Sequence, residues 1–129
     1  IIGFNKLKDT INILIMSNTP TINLKGKSGT EFTFYIYDLN TTFKSVGGIY
    51  AFTKRTQNSN GTWNHTILYI GKTEDFSTRF TNHHKANCYL NKGADRLCIR
   101  QVDTESEREK MEKDLIQYYN PPCNDQLTQ

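Results

Sequence analysis

Between Tyr50 and His83 the chain gathers two tyrosines, a lysine, an arginine and a histidine: Tyr50, Tyr69, Lys72, Arg79 and His83. The set offers phenols and cations but no carboxylate, which suits a negatively charged substrate, and phosphate is the commonest of these. An unperturbed phenol keeps its proton up to a pKa near ~10, so a tyrosine serving as a base at neutral pH needs positive charge beside it. Lys72, Arg79 and His83 are the residues that could supply it.

The elements that must position these residues can be read from the surrounding pattern. The apolar run Ile67 to Ile70 stops at Gly71-Lys72, as a short buried strand does when it reaches a sheet edge. An upstream strand, Gly47 to Thr53, is separated from it by a polar segment containing Asn58-Ser59-Asn60-Gly61, a turn signal that favours positive φ. The two are expected to pair as an antiparallel hairpin. Asp75 can cap a following helix on which Phe76 and Phe80 are four apart; Arg79 and His83, also four apart, should point the same way. Lys54, Arg55 and Trp63 lie toward the hairpin tip and are candidate nucleic-acid contacts, Trp63 either stacking on a base or packing against the sheet.

The rest of the chain supplies further elements. Leu7, Ile11, Leu14 and Ile15 have helical spacing within residues 6–17, and a hairpin is expected from Thr21–Leu24 and Glu31–Tyr37, with Lys25 and Lys27 near its tip as possible phosphate contacts. His84 to Gly93 reads as irregular, and Arg96 to Val102 as a third strand of the hairpin's sheet. Thr104 and Glu107 form a capping box for a helix that should run to Tyr119, with Met111, Leu115 and Tyr118 as its buried stripe. Glu112 borders apolar ground near Ile116 and Tyr119, where a carboxylate is costly unless a cation meets it: a metal ion, or Arg79 or Arg108. The expected fold class is α+β: a small antiparallel three-stranded central sheet flanked by helices, with an N-terminal helix and β-hairpin extension. Residues 1–45 form that extension and residues 46–129 the site-bearing domain.

Composition agrees with a single folded domain. The chain has 129 residues, 36% hydrophobic and 12% aromatic, so rings supply core volume that aliphatic residues do not. Net charge is only +3, yet residues 1–100 carry 13 Lys/Arg against 6 Asp/Glu, and residues 101–129 carry 3 against 7. A basic body beside an acidic helix fits phosphates approaching a carboxylate pocket, with an ordinary solvated acidic helix as the lesser reading. The longest apolar run is too short to span a bilayer and the first residues lack a secretory pattern, so an intracellular, cytoplasmic protein without membrane contact is expected. Cys88, Cys98 and Cys123 are odd in number and widely spaced, so reduced thiols are expected rather than a disulfide framework, with a zinc site at Cys88 and His83 or His84 the minor alternative. A small-molecule enzyme using a tyrosine and lysine pair is a further reading, but no glycine-rich dinucleotide loop supports it.

Gly48-Ile49-Tyr50 and Tyr69-Ile70-Gly71, followed by Arg79, Glu112 and Pro121-x-x-Asn124, form an ordered set that resembles the GIY-YIG nucleases from about Gly47 to Asn124. The resemblance implies a metal-dependent endonuclease hydrolysing DNA phosphodiester bonds. It places the metal, Mg²⁺ or Mn²⁺, on Glu112, the phosphate on Arg79, and general-base and water-orienting roles on Tyr50 and Tyr69. Lys72 and His83 join them as catalytic candidates, and Asn124 is expected to fix the end of the glutamate helix. Gly71, Lys85 and Asn124 complete the nucleic-acid-binding candidates. The expected partner is DNA, with a further specificity domain or a second copy to direct cleavage. Restriction and homing or mobile-element roles suit the long hairpin; a non-catalytic binding module and an RNA nuclease are the alternatives.

Overall fold

The computed structural model describes residues 18–125. The 6–17 helix expected from sequence lies outside that range. Strands β1 (Thr21–Lys25), β2 (Glu31–Asp38), β3 (Gly48–Gln57), β4 (Trp63–Thr73) and β5 (Arg96–Gln101) form one antiparallel sheet, with helices α1 (Phe76–Arg79), α2 (Ala86–Asn91) and α3 (Glu105–Tyr119).

The α+β class holds, but the sheet has five strands in the order β1-β2-β5-β3-β4 rather than three. The difference comes from β2, which pairs with β5 from Tyr35↔Ile99 to Asp38↔Arg96 and makes the N-terminal hairpin part of the same sheet. Without it β5 would be an edge strand carrying buried Leu97, Cys98 and Ile99. The hairpin tip is docked as well. Lys27 N–H donates to the Asp114 carbonyl at 3.0 Å, and Ser28 donates to the Asp114 carboxylate from its amide at 2.9 Å and its hydroxyl at 2.7 Å. The backbone of a tip expected to reach toward phosphates is thus committed to α3.

Both sheet faces are covered, which explains why Gly48 to Phe52 reads as continuously apolar instead of alternating. Ile49, Ala51, Ile67, Ile70 and Cys98 pack with Leu115 of α3 on one face. Tyr50, Phe52, Tyr69 and Leu97 pack with Phe76 of α1 and Tyr89 of α2 on the other.

The β3–β4 hairpin closes through the expected turn, with Asn58 N–H donating to the Thr62 carbonyl at 2.7 Å and Gly61 at φ 90°. Its ladder slips between Phe52 and Thr53: Phe52 faces Tyr69 but Thr53 faces Ile67, leaving Leu68 as the extra residue of a bulge. α3 starts at the expected cap, where the Thr104 side chain accepts from Glu107 N–H, and stops where Asn120 turns left-handed at φ 43°. On this helix Leu115 is buried, but Tyr118 is exposed and Arg108 takes a buried position, its guanidinium donating to the Val102 carbonyl at 2.8 Å. The segment expected to be irregular contains α2, whose Tyr89 stacks on Phe52 at 3.8 Å between centroids. No described helix is long and apolar enough to cross a membrane.

Candidate active site

Tyr50 is fully buried near the start of β3, a strand flanked by β5 and β4. Its register partner is Gly71, where a Cβ would lie 2.5 Å from both Cζ and Oη of Tyr50. A side chain there would collide with the phenol, so Gly71, itself buried, provides room for Tyr50.

Two nitrogens converge on the Tyr50 hydroxyl. Arg79 Nε–H donates to Oη at 3.0 Å, and His83 Nε2 lies 2.7 Å away. They do not come from one helix face, as spacing suggested. α1 contains only four residues after its Asp75 cap, and Asn82 is left-handed at φ 56°. That turn brings His83 back over the sheet. The protonation of the His83 ring follows from its other nitrogen: Nδ1 lies 3.1 Å from Lys85 N–H and accepts from it. In the neutral ring the proton is therefore on Nε2, which donates to Tyr50. Burial, then the charge of Arg79, pushes the His83 pKa down to about 4, so the ring is neutral at physiological pH. His83 accordingly supplies no positive charge to Tyr50, contrary to expectation.

The Tyr50 hydroxyl keeps its proton in the resting protein, because burial raises its pKa, as does Tyr69; the contact with Arg79 opposes the rise. Tyr69 is also buried and its pKa is raised by burial, with Tyr50 and Arg79 opposing. Its ring stands edge-on to His83 at 5.1 Å and to His84 at 6.0 Å. Lys72 is not directed at the tyrosines: it sits at the rim, ion-paired with Glu105, a contact that raises its pKa. Lys85 is likewise paired, with Asp125 at 3.1 Å. Lys72, Arg79, Asn82, His83, His84 and Glu105 line an open cleft of about 620 Å³.

Glu112 reaches this region from α3. Burial raises its pKa, Lys72 opposes the rise, and Arg79 contributes favourably from the tyrosine side. Neither Arg79 nor Arg108 forms an ion pair with it; Arg108 bonds to Glu105 and Val102 instead. Among the described residues Glu112 is a half-buried carboxylate without an ion pair or hydrogen bond. A hard divalent cation, with water completing its shell, fits that donor. No group of three or more metal-binding side chains occurs among the described residues, so any such ion would rest on this carboxylate, water and substrate oxygens.

Two features of the site's support were misread or missed from sequence. Asn124 does not fix the end of α3. Its Oδ1 accepts from Ile70 N–H at 2.9 Å and its Nδ2 donates to the Ile70 carbonyl at 2.8 Å, the pairing a neighbouring strand would make. Cys123 N–H adds a bond to the Leu68 carbonyl at 2.9 Å. Residues 123–124 therefore cap the outer edge of β4 beside Tyr69. The second feature is covalent: Cys88 of α2 and Cys123 form a disulfide, and only Cys98 is a free, buried thiol among the described residues. The expectation of reduced thiols fails because α2, unrecognised in sequence, carries Cys88 to the β4 edge. Lys54 projects on the tyrosine side near Gly93, whereas Arg55 stacks over Trp63 at 4.0 Å and leaves the indole 45% exposed.

Fold and site together define an α+β domain in which Arg79 lines an open cleft while bonding the hydroxyl of a buried tyrosine, with the half-buried Glu112 carboxylate contributed from α3. Residues 46–125 match the family model described as the GIY-YIG catalytic domain, and the chain belongs to that family. The GIY-YIG domain marks it as a nuclease in the general sense, a hydrolase of nucleic-acid backbones. Neither the curated proteins nor the solved structures give a significant match.

Proposed function

We propose that the protein is a metal-dependent endonuclease that hydrolyses DNA phosphodiester bonds one strand at a time. The observation that carries this reading is the meeting of Arg79 and His83 on the Tyr50 hydroxyl while Glu112 remains uncompensated. With Nε committed to Tyr50, Arg79 can present its terminal nitrogens to the scissile phosphate, where a fixed guanidinium offsets growing charge. Tyr50 accepts from both neighbours, which fixes its hydroxyl and favours the phenolate when the proton leaves. Its role is general base as the phenolate, formed when a bound cation and Arg79 lower its pKa and its own proton passes to solvent, and Tyr69 hydrogen-bonds a phosphate oxygen or the attacking water. A Mg²⁺ or Mn²⁺ ion held by Glu112 would supply the charge that stabilises anionic oxygens and would polarise water. His83 acts by holding Tyr50. The outer half of the β3–β4 hairpin, with Lys54, Arg55 and Trp63, binds the nucleic acid away from the cleft. Restriction and mobile-element roles, with a second copy or a specificity domain directing cleavage, suit this extended hairpin.

Nicking of supercoiled plasmid in Mg²⁺ or Mn²⁺, against EDTA, tests the proposal together with a Glu112→Gln variant. Nicked circles should precede linear product, and both EDTA and the substitution should abolish them. Well-folded wild type that binds DNA in a salt-sensitive way but cleaves neither DNA nor RNA would support the binding-module alternative. Cleavage of RNA alone would correct the substrate.

A further inference from the structure

Two adjacent histidines face this cleft, and the structure gives them different tasks. Both nitrogens of His83 are occupied, Nε2 by Tyr50 and Nδ1 by Lys85 N–H. His84 lies on the cleft wall, is exposed, and has neither ring nitrogen in a hydrogen bond among the described residues. Its ring is nevertheless placed: it stacks on His83 at 4.7 Å with 28° between planes and meets Tyr69 edge-on. The left-handed turn at Asn82 turns one imidazole inward and leaves the next at the opening.

The neighbouring donors narrow the possibilities. The ammonium groups of Lys72 and Lys85 are paired with Glu105 and Asp125, and Arg79 has one nitrogen on Tyr50. We infer that His84 is a substrate-contacting residue whose imidazole N–H donates to a phosphate oxygen of the nucleic-acid strand beside the phosphate held by Arg79. The inference rests on the nuclease reading for the identity of the strand and adds a contact specific to this chain. A histidine suits the task because its ring can rest on His83 and Tyr69 while its polar edge meets the phosphate.

Three substitutions separate the ring's packing from its donor. His84→Ala removes both, His84→Phe keeps an aromatic ring without N–H, and His84→Gln keeps an N–H without the ring. Cleavage should fall roughly 10- to 100-fold in kcat/KM for the alanine and phenylalanine variants, as expected for loss of a hydrogen bond to a charged group, with glutamine recovering much of it. Full activity in His84→Phe or His84→Ala would overturn the contact. A parallel NMR titration with a short DNA oligonucleotide follows the His84 ring nitrogens in the wild-type protein, without requiring turnover. They should shift on binding while those of His83 move less. A protein that does not cleave yet shows this shift would contradict the nuclease reading and keep the contact. Cleavage with an unmoved His84 would do the reverse.

Discussion

The two halves of the β3–β4 hairpin share a turn and a ladder but are built to different standards. In the inner half, Gly48 to Phe52 pairs with β4 on one side and β5 on the other, and β4 is capped across Leu68 and Ile70 by residues 123–124. Pairing with β5 ends at Thr53, at the bulge. Beyond it Lys54, Thr56, Asn64 and Thr66 are exposed, and an Arg55–Trp63 stack takes the place of a core. The proposed chemistry sits where backbone and side chains are held from several directions. The freer half has the cations and indole of a contact surface but not the rigidity needed to align a reacting atom.

Substitutions should reveal this gradient. The largest effect is expected for Tyr50→Phe, which keeps the packed ring and removes the oxygen on which Arg79 and His83 converge. Cleavage should drop about 10²- to 10⁴-fold, measured under single turnover, with thermal unfolding monitored to show that the fold persists. Next is the Cys88–Cys123 tie. Cys88→Ser, or reduction of the wild type, should cost about 2–4 kcal/mol in denaturant unfolding and lower activity through the β4 cap. Gly71→Ala follows, at about 1–3 kcal/mol, because its methyl group would enter the space of the Tyr50 phenol; a loss of cleavage should accompany it. Trp63→Ala in the outer half should change stability by no more than about 0.5 kcal/mol and weaken DNA binding, read from fluorescence anisotropy. A stability loss at Trp63 as large as that at Gly71 would erase the distinction between the halves.

Much of the inner half was legible because its chemistry dictates its residue types. Only glycine fits opposite Tyr50, the Ile67–Ile70 run required burial on both faces, and Asp75 and Thr104 marked helix starts with their own side chains. Less legible was what depended on distant pairing. Nothing local in Tyr35 or Tyr37 indicates that β2 will join β5, or in Asn124 that its amide will imitate a strand opposite Ile70. The spacing of Arg79 and His83 suggested one helix face; they meet at Tyr50 instead because the helix ends and Asn82 reverses the chain. Cys88 and Cys123 are 35 positions apart, and α2, the element that brings them together, buries only Tyr89 and leaves little periodic trace.

The division of labour is tested most directly by measuring cleavage and equilibrium DNA binding side by side in Tyr50→Phe and Trp63→Ala. Tyr50→Phe should bind DNA like the wild type and fail to cleave, while Trp63→Ala should bind less tightly and cleave at near wild-type rate once saturated. Wild-type cleavage by Tyr50→Phe, or equal loss of binding and cleavage in both variants, would contradict it.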